Sequence, residues 1–255
     1  MQEIKIILND LKKYGCNAIK ISFEDEGALL NEIISMRTLT ASLGIELSIK
    51  VGGCEAKRDI LDCIYLGCDS IVAPMIESSF AITKFIKSLE TYNYKGKKGL
   101  NIETINAYNN FDSIKENLKD IDFVTFGRVD FISSLDKDRD YAETDQVYDY
   151  VHDIFTKAKE INKLCFLGGA ISIKSKDFIE KLIKDKLLDK FETRYVIYDV
   201  KLIDINNLDK LLYYANLFEV AWLKYISERY SQLAFKDAKR IKMIEERINI
   251  NKLDV

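Results

Sequence analysis

Short apolar runs return along this chain at intervals of roughly 25–30 residues, with stretches of helical spacing between them. The runs lie at residues 18–23, 46–51, 70–76, 100–102, 123–126, 163–167 and 195–200. Helical patterns cover 28–43, 54–66, 80–89, 107–118 and 148–159. Strand followed by helix, many times over, predicts a parallel sheet with covering helices. The near-continuous apolar character of the runs predicts strands buried on both faces. At 255 residues, an α/β fold of the TIM-type (β/α)8 barrel class fits the length. Seven strands are legible, one short of closure. Residues 4–8 have strand-like composition, but Leu8, Leu11 and Tyr14 continue them at helical spacing to Gly15. The missing or atypical strand is therefore expected first in the chain.

Pro74 is the single proline and no Gly/Ser-rich linker interrupts the pattern, so no boundary divides the barrel. The barrel domain is expected over 1–205, with 206–255 as a helical extension. Within it Leu223, Ile226, Tyr230, Leu233, Ile241, Ile244 and Ile248 recur at spacings of three and four, interrupted by Asp237. That stripe either packs on the chain's own barrel or exchanges with a neighbouring subunit, so a homo-oligomer is expected.

A net charge of −3 gives no reason to expect nucleic acid, and lysine clusters such as Lys95, Lys97 and Lys98 are interleaved with acids along the chain. Cys16, Cys54, Cys63, Cys68 and Cys165 form an odd set without a CxxC pair, which reads as small buried residues in a reducing compartment. No apolar run is long enough to span a membrane and no signal-peptide pattern opens the sequence, so a cytoplasmic location is expected.

Two strand ends carry the chemistry. Gly99-Leu100-Asn101-Ile102-Glu103-Thr104 and Phe126-Gly127-Arg128-Val129-Asp130-Phe131 each place a carboxylate where an apolar run stops. Adjacent parallel strands lie roughly 5 Å apart, so carboxylates at their ends can share one divalent cation. Oxygen ligands of that kind suit Mg²⁺ or Mn²⁺. Taken singly, Glu103 or Asp130 would be a helix cap or half of a salt bridge. Asn101 lies two before Glu103 and so faces the same way. Gly127 allows close backbone approach to a ligand, and Arg128, in a turn expected to be exposed, would attract a carboxylate or phosphate. Gly168-Gly169 offers another close approach or a plain turn, and Arg194 with Asp199 reads as a structural ion pair. Residues 133–144 are long and charged, either a lid or a solvated loop.

The order of these features resembles a known family. Phe23-Glu24-Asp25 is similar to the Glu-Asp motif of citrate lyase β-subunits, and Ala73-Pro74-Met75-Ile76-Glu77 to the family's Pro-(Lys/Met)-Val-Glu strand. Ile102-Glu103-Thr104 matches its Ile-Glu-Thr. The stretch from Phe126 through Ser133-Ser134-Leu135 resembles its Gly-x-x-Asp-Leu segment. The resemblance is to the HpcH/HpaI aldolase and citrate lyase β-subunit superfamily, and it runs from about Leu11 to Leu135. It implies a modified (β/α)8 barrel holding one Mg²⁺ or Mn²⁺ through Glu103 and Asp130. The metal would chelate a 2-oxo acid such as pyruvate and stabilise its enolate during carbon–carbon bond making or breaking. The resemblance also places Asn101 on bound substrate.

Departures from the family pattern bear on mechanism. Lys50 stands where the family has an arginine, keeping the charge without the bidentate fork. It would position the substrate or polarise it, or else snorkel at a strand end. Ser22 replaces a frequent acid, and Asp25 stands where the aldolase branch has a histidine. His152, the only histidine, falls in a helical segment and reads as a surface or packing residue. Glu24, Asp25 and Glu26 are therefore the acid/base candidates. The expected activity is that of a metal-dependent carbon–carbon lyase or aldolase on a small 2-oxo acid or acyl substrate. The alternative is a catalytically diverged barrel that binds a small anion or a partner protein.

Overall fold

In the computed structural model, which describes residues 1–251, the apolar runs become the staves of one closed barrel. The strands are β1 (Cys16–Ser22), β2 (Glu46–Lys50), β3 (Ser70–Ala73), β4 (Lys97–Ile102), β5 (Phe123–Gly127), β6 (Leu164–Gly168), β7 (Lys190–Glu192) and β8 (Val196–Asp199). They follow one another around the barrel in chain order. β1 to β7 are parallel, whereas β8 runs antiparallel to both β7 and β1. Only Thr193, Arg194 and Tyr195 separate β7 from β8. A connection that short can make a hairpin but not a parallel crossover, which needs a dozen or more residues.

The unforeseen strand is thus β7, not an N-terminal one. Its three residues, Lys-Phe-Glu, place two charged side chains on one face and offer no apolar run to recognise. The segment before β1 is a helix, Gln2–Lys13, that buries Ile4, Ile7, Leu8 and Leu11 on one stripe. It turns into β1 through Gly15 at φ +87°, where a Cβ would meet Ile203 Cγ2 at 2.6 Å and the Leu202 carbonyl oxygen at 2.9 Å. Only glycine fits there.

Alternation along the strands sorts side chains into two environments. Ile19, Ile21, Leu47, Ile49, Leu100, Ile102, Val124 and Phe126 belong to the main apolar core between barrel and helices. A separate cluster of Val72, Phe123 and Phe166 plugs the barrel's interior, with the Phe123 and Phe166 rings stacked at 4.3 Å. Gly99 leaves room for this plug, since a Cβ there would lie 2.2 Å from the Phe123 ring. Towards the C-terminal ends of β1–β7 the interior turns polar, with Lys20, Ser22, Lys50, Asn101, Thr125 and Glu192. The sequence therefore reads as apolar runs because the outward half of each strand is apolar.

The last helix, Leu208–Asn251, has 44 residues and is about 66 Å long. It starts at the plugged end, where the Tyr198 hydroxyl donates to the Leu211 carbonyl at 2.6 Å, and climbs past Tyr195, whose ring packs edge-on against Phe218. Leu208, Leu211, Leu212, Ala215, Phe218 and Trp222 are buried against the barrel. Tyr230 still reaches the barrel by hydrogen-bonding Glu32. Beyond it, Leu233, Phe235, Ile241, Ile244 and Ile248 are exposed. Residues 252–255 of the expected extension lie outside the described part. All five cysteines are unpaired.

Candidate active site

A cavity of ≈ 360 Å³ opens at the C-terminal ends of the parallel strands. Glu103, one residue past β4, points into it and is only 2 % exposed. Its Oε1 accepts the Met75 N–H and its Oε2 accepts the Asn101 amide, both at 2.9 Å. Gly127 on the next strand makes this seat possible, because a Cβ there would lie 2.7 Å from Glu103 Oε2. Burial pushes the Glu103 carboxyl above the usual carboxylate range; Lys50, the Met75 N–H and Asn101 pull against it, and Asp130 adds to the rise.

Asp130 sits in the short helix Arg128–Ser133 and lines the same cavity. Burial raises its pKa too, opposed by Lys50 and reinforced by Glu24 and Asp25. Lys50, at the end of β2, is buried and ion-paired with Glu24 at 2.7 Å. Burial works against its charge, yet Glu103 and Glu24 outweigh that cost and the ammonium titrates above its ordinary value. Lys50 is therefore paired with Glu24 and acts on Glu103 through its charge.

Ser22 shapes that loop. Its hydroxyl accepts the N–H groups of Glu24 at 3.1 Å and Asp25 at 2.9 Å. Asp25 faces the cavity, whereas Glu24 is turned towards Lys50. Glu26 is directed inward, its side chain 7 % exposed and its Oε2 without a hydrogen-bond partner among the described residues.

Arg128 corrects an expectation. It is fully buried, not in an exposed turn, and it does not line the cavity. Its guanidinium donates to the Gly169 carbonyl at 3.1 and 2.9 Å, to the Ala142 carbonyl at 3.2 Å, to Glu143 at 3.0 Å and to the Ser175 hydroxyl at 3.2 Å. All of these groups lie within the fold, so Arg128 has nothing to offer a substrate. It anchors the segment after Asp130, which folds into a 3₁₀ turn at Arg139–Glu143 instead of a loose loop. Arg139, on that turn, reaches the cavity.

The Gly168-Gly169 pair serves packing. A Cβ on Gly168 would come within 3.0 Å of Glu192 Oε1, and one on Gly169, at φ +78°, within 2.6 Å of the Val129 nitrogen. The expected Arg194–Asp199 pair does not form. Arg194 sits in the hairpin at the cavity mouth, 3.8 Å from Asp25 and 3.6 Å from Glu26, while Asp199 ends β8 at the far end of the barrel and accepts the Lys201 N–H. His152 is half-exposed, 3.9 Å from Asp185 and away from the cavity.

Several lining residues had not been singled out: Lys20, Glu192, Arg139, Asn216 and Glu219. Lys20 pairs with Glu192 at 2.5 Å across the β1–β8–β7 side of the barrel. Its signal was available, since Lys20 lies two before Ser22 on one strand face. Asn216 and Glu219 carry none, because only the climb of the last helix delivers them to the mouth.

Glu103 and Asp130 present hard oxygen donors to one cavity, a set that Mg²⁺ or Mn²⁺ accepts when water and substrate complete the shell. Among the described residues, no three His, Cys, Asp or Glu side chains gather into a ready-made cage.

No family model matches this sequence, and a search of curated proteins finds no relative. Solved structures do match. An HpcH/HpaI aldolase from Desulfitobacterium hafniense DCB-2 superposes with a TM-score of 0.62 at 13% identity, over 86% of this chain and 88% of that one. Citrate synthase SbnG gives 0.61 at 15% identity, again over 86% and 88%. An HpcH/HpaI aldolase/citrate lyase family protein from Burkholderia cenocepacia J2315 gives 0.57 at 12% identity, over 69% of this chain and 78% of that one. At such identities the likeness is one of fold: this chain shares the closed barrel of those structures. Among the described residues no helix is long and apolar enough to cross a membrane.

Proposed function

We propose that this protein is a divalent-metal-dependent carbon–carbon lyase or aldolase acting on a 2-oxo acid, pyruvate-like, or on a related acyl substrate. Glu103 and Asp130 would hold Mg²⁺ or Mn²⁺. A hard cation there supplies Lewis-acid stabilisation of a developing enolate, worth several kcal/mol in such chemistry. The observation that carries the reading is the seat of Glu103: a buried carboxylate with both oxygens oriented by N–H donors, beside the space that Gly127 leaves open.

The chain's own residues then take distinct parts. Lys50 keeps a fixed positive charge beside Glu103 and offsets negative charge brought by the substrate. Asn101 holds Glu103 through its amide and leaves its carbonyl oxygen to a ligand donor. Asp25 faces the cavity and is the better placed of the loop acids to move a proton, with Glu24 positioning Lys50. Gly127, expected to let the substrate approach backbone, instead makes room for the Glu103 carboxylate.

One observation favours the second reading, a diverged barrel that binds a small anion. Arg128 is withdrawn into the fold and Lys50 is already paired with Glu24, so neither serves a substrate carboxylate at Glu103 and Asp130, whereas Arg139 and Arg194 line the same cavity and suit a small anion.

Deuterium exchange at the pyruvate methyl group, followed by NMR, decides between them. Exchange that requires Mg²⁺ or Mn²⁺, stops with EDTA and is lost in Glu103→Gln supports the lyase. Pyruvate binding with no exchange under either metal favours the second reading.

A further inference from the structure

Of three arginines near the C-terminal ends of the strands, one is buried in the fold and two line the cavity. Arg128 spends its guanidinium on two carbonyls, a carboxylate and a hydroxyl inside the fold. Arg139 and Arg194 both line the cavity; among the described residues Arg139 has no side-chain hydrogen bond or ion pair, while Arg194 lies beside Asp25, Glu26 and the Tyr195 side chain. Asp140, next to Arg139 in sequence, pairs with Lys174. Arg194 stands at 3.8 Å from Asp25 and 3.6 Å from Glu26, close enough for attraction but too far for hydrogen bonding. The other two cations of the cavity are committed, Lys20 to Glu192 and Lys50 to Glu24.

Placement adds to this. Arg194 sits in the β7–β8 hairpin, while Glu103 and Asp130 follow β4 and β5, so the two groups face each other across the ring of strands. Arg139 is fixed beside the mouth because Arg128 ties down Ala142 and Glu143 of the same turn. A guanidinium with free N–H donors matches a carboxylate or phosphate in a bidentate fork.

We propose that Arg139 and Arg194 form a second anion subsite, so that the substrate or acceptor carries a carboxylate or phosphate remote from the group held at Glu103 and Asp130. This rests on the lyase reading for the identity of the first end only. The nearby Asp25, Glu26 and Glu219 set an upper limit on charge and make a single distal anion, not a pyrophosphate, the fitting ligand.

The test is a matched set of ligands in calorimetry with Mg²⁺ present. 2-Oxoglutarate, 2-oxo-4-phosphonobutanoate and 2-oxopentanoate are alike in reach but differ in the distal group. Tighter binding of one or both dianions, by about tenfold over 2-oxopentanoate, is expected, and the preferred one tells carboxylate from phosphate. Arg139→Gln and Arg194→Gln should each remove most of that preference while leaving 2-oxopentanoate unchanged. Both residues are on the surface of the mouth, so an unchanged melting temperature separates lost contact from lost fold. Equal binding of all three ligands, equal weakening of all three by the substitutions, or failure of every dianion to bind overturns the subsite. Repeating the titrations with EDTA separates the two ideas: if Mg²⁺ makes no difference, the metal reading fails while the arginine comparison still stands.

Discussion

Gly127 and Glu103 share one small space: a methyl group on Gly127 would sit 2.7 Å from Glu103 Oε2 and 2.9 Å from its Cβ. Gly127→Ala therefore displaces the carboxylate without altering its chemistry. Manganese affinity, read by electron paramagnetic resonance, should fall about 10–100-fold. Stability should fall by only about 1–3 kcal/mol, the usual cost of overpacking. Unchanged manganese affinity would show that Glu103 is no ligand.

Arg128 predicts a different outcome. Its removal leaves Glu143 and two carbonyl oxygens without their donor in a buried place. Arg128→Met should cost about 3–5 kcal/mol in urea denaturation, with Arg128→Lys recovering little, because a lysine cannot reproduce the fork. A variant of native stability with raised KM alone would return Arg128 to the substrate.

Glu26 makes stability depend on pH. Burial, aided by the charge of Asp25 and opposed by Lys20, Arg194 and Lys50, pushes its carboxyl from 4.5 up to about 7. The folded chain thus holds this proton more tightly than the unfolded one. The stabilisation is complete below about pH 4.5, declines as pH rises to about 7, and is absent above. Glu26→Gln keeps the neutral shape and should raise stability at pH 8 by about 1–3 kcal/mol while leaving it nearly unchanged near pH 4.5. Equal gains at both pH values would rule out the titration.

The exposed apolar residues on the far half of the last helix make a contact with a second copy the proposed use of that segment. Truncation after Ser227 should convert a multimer to a monomer in light scattering and leave the barrel's circular dichroism intact. A monomeric mass for the full chain overturns the idea.

Much of this arrangement was legible because outward-facing strand residues are apolar regardless of what the interior does. Ile19, Ile21, Leu47 and Ile49 announce β1 and β2 even though Lys20 and Lys50 interrupt them. β7 escaped notice because its face towards the barrel is Lys190 and Glu192, which leaves Phe191 as a lone apolar residue. The place of Glu103 and Asp130 at strand ends is what brings both to the cavity. Arg128 was misread because its partners, Ala142, Glu143, Gly169 and Ser175, come from two later segments that no local pattern connects to it. Arg139 was hidden in a run of charges that reads as solvated loop, and its proximity to the mouth depends on Arg128's hold on that run.

The reversal of β8 has a consequence for who builds the wall of the cavity. With all eight staves pointing one way, the chain would leave its last strand at the open rim, and the following helix would descend towards the aromatic plug. Inverting one stave releases the chain at the opposite pole, so the helix must ascend and bring Asn216 and Glu219 to the opening. A change of polarity in four residues thereby recruits the chain's tail as a lining of the entrance, in reach of whatever comes in.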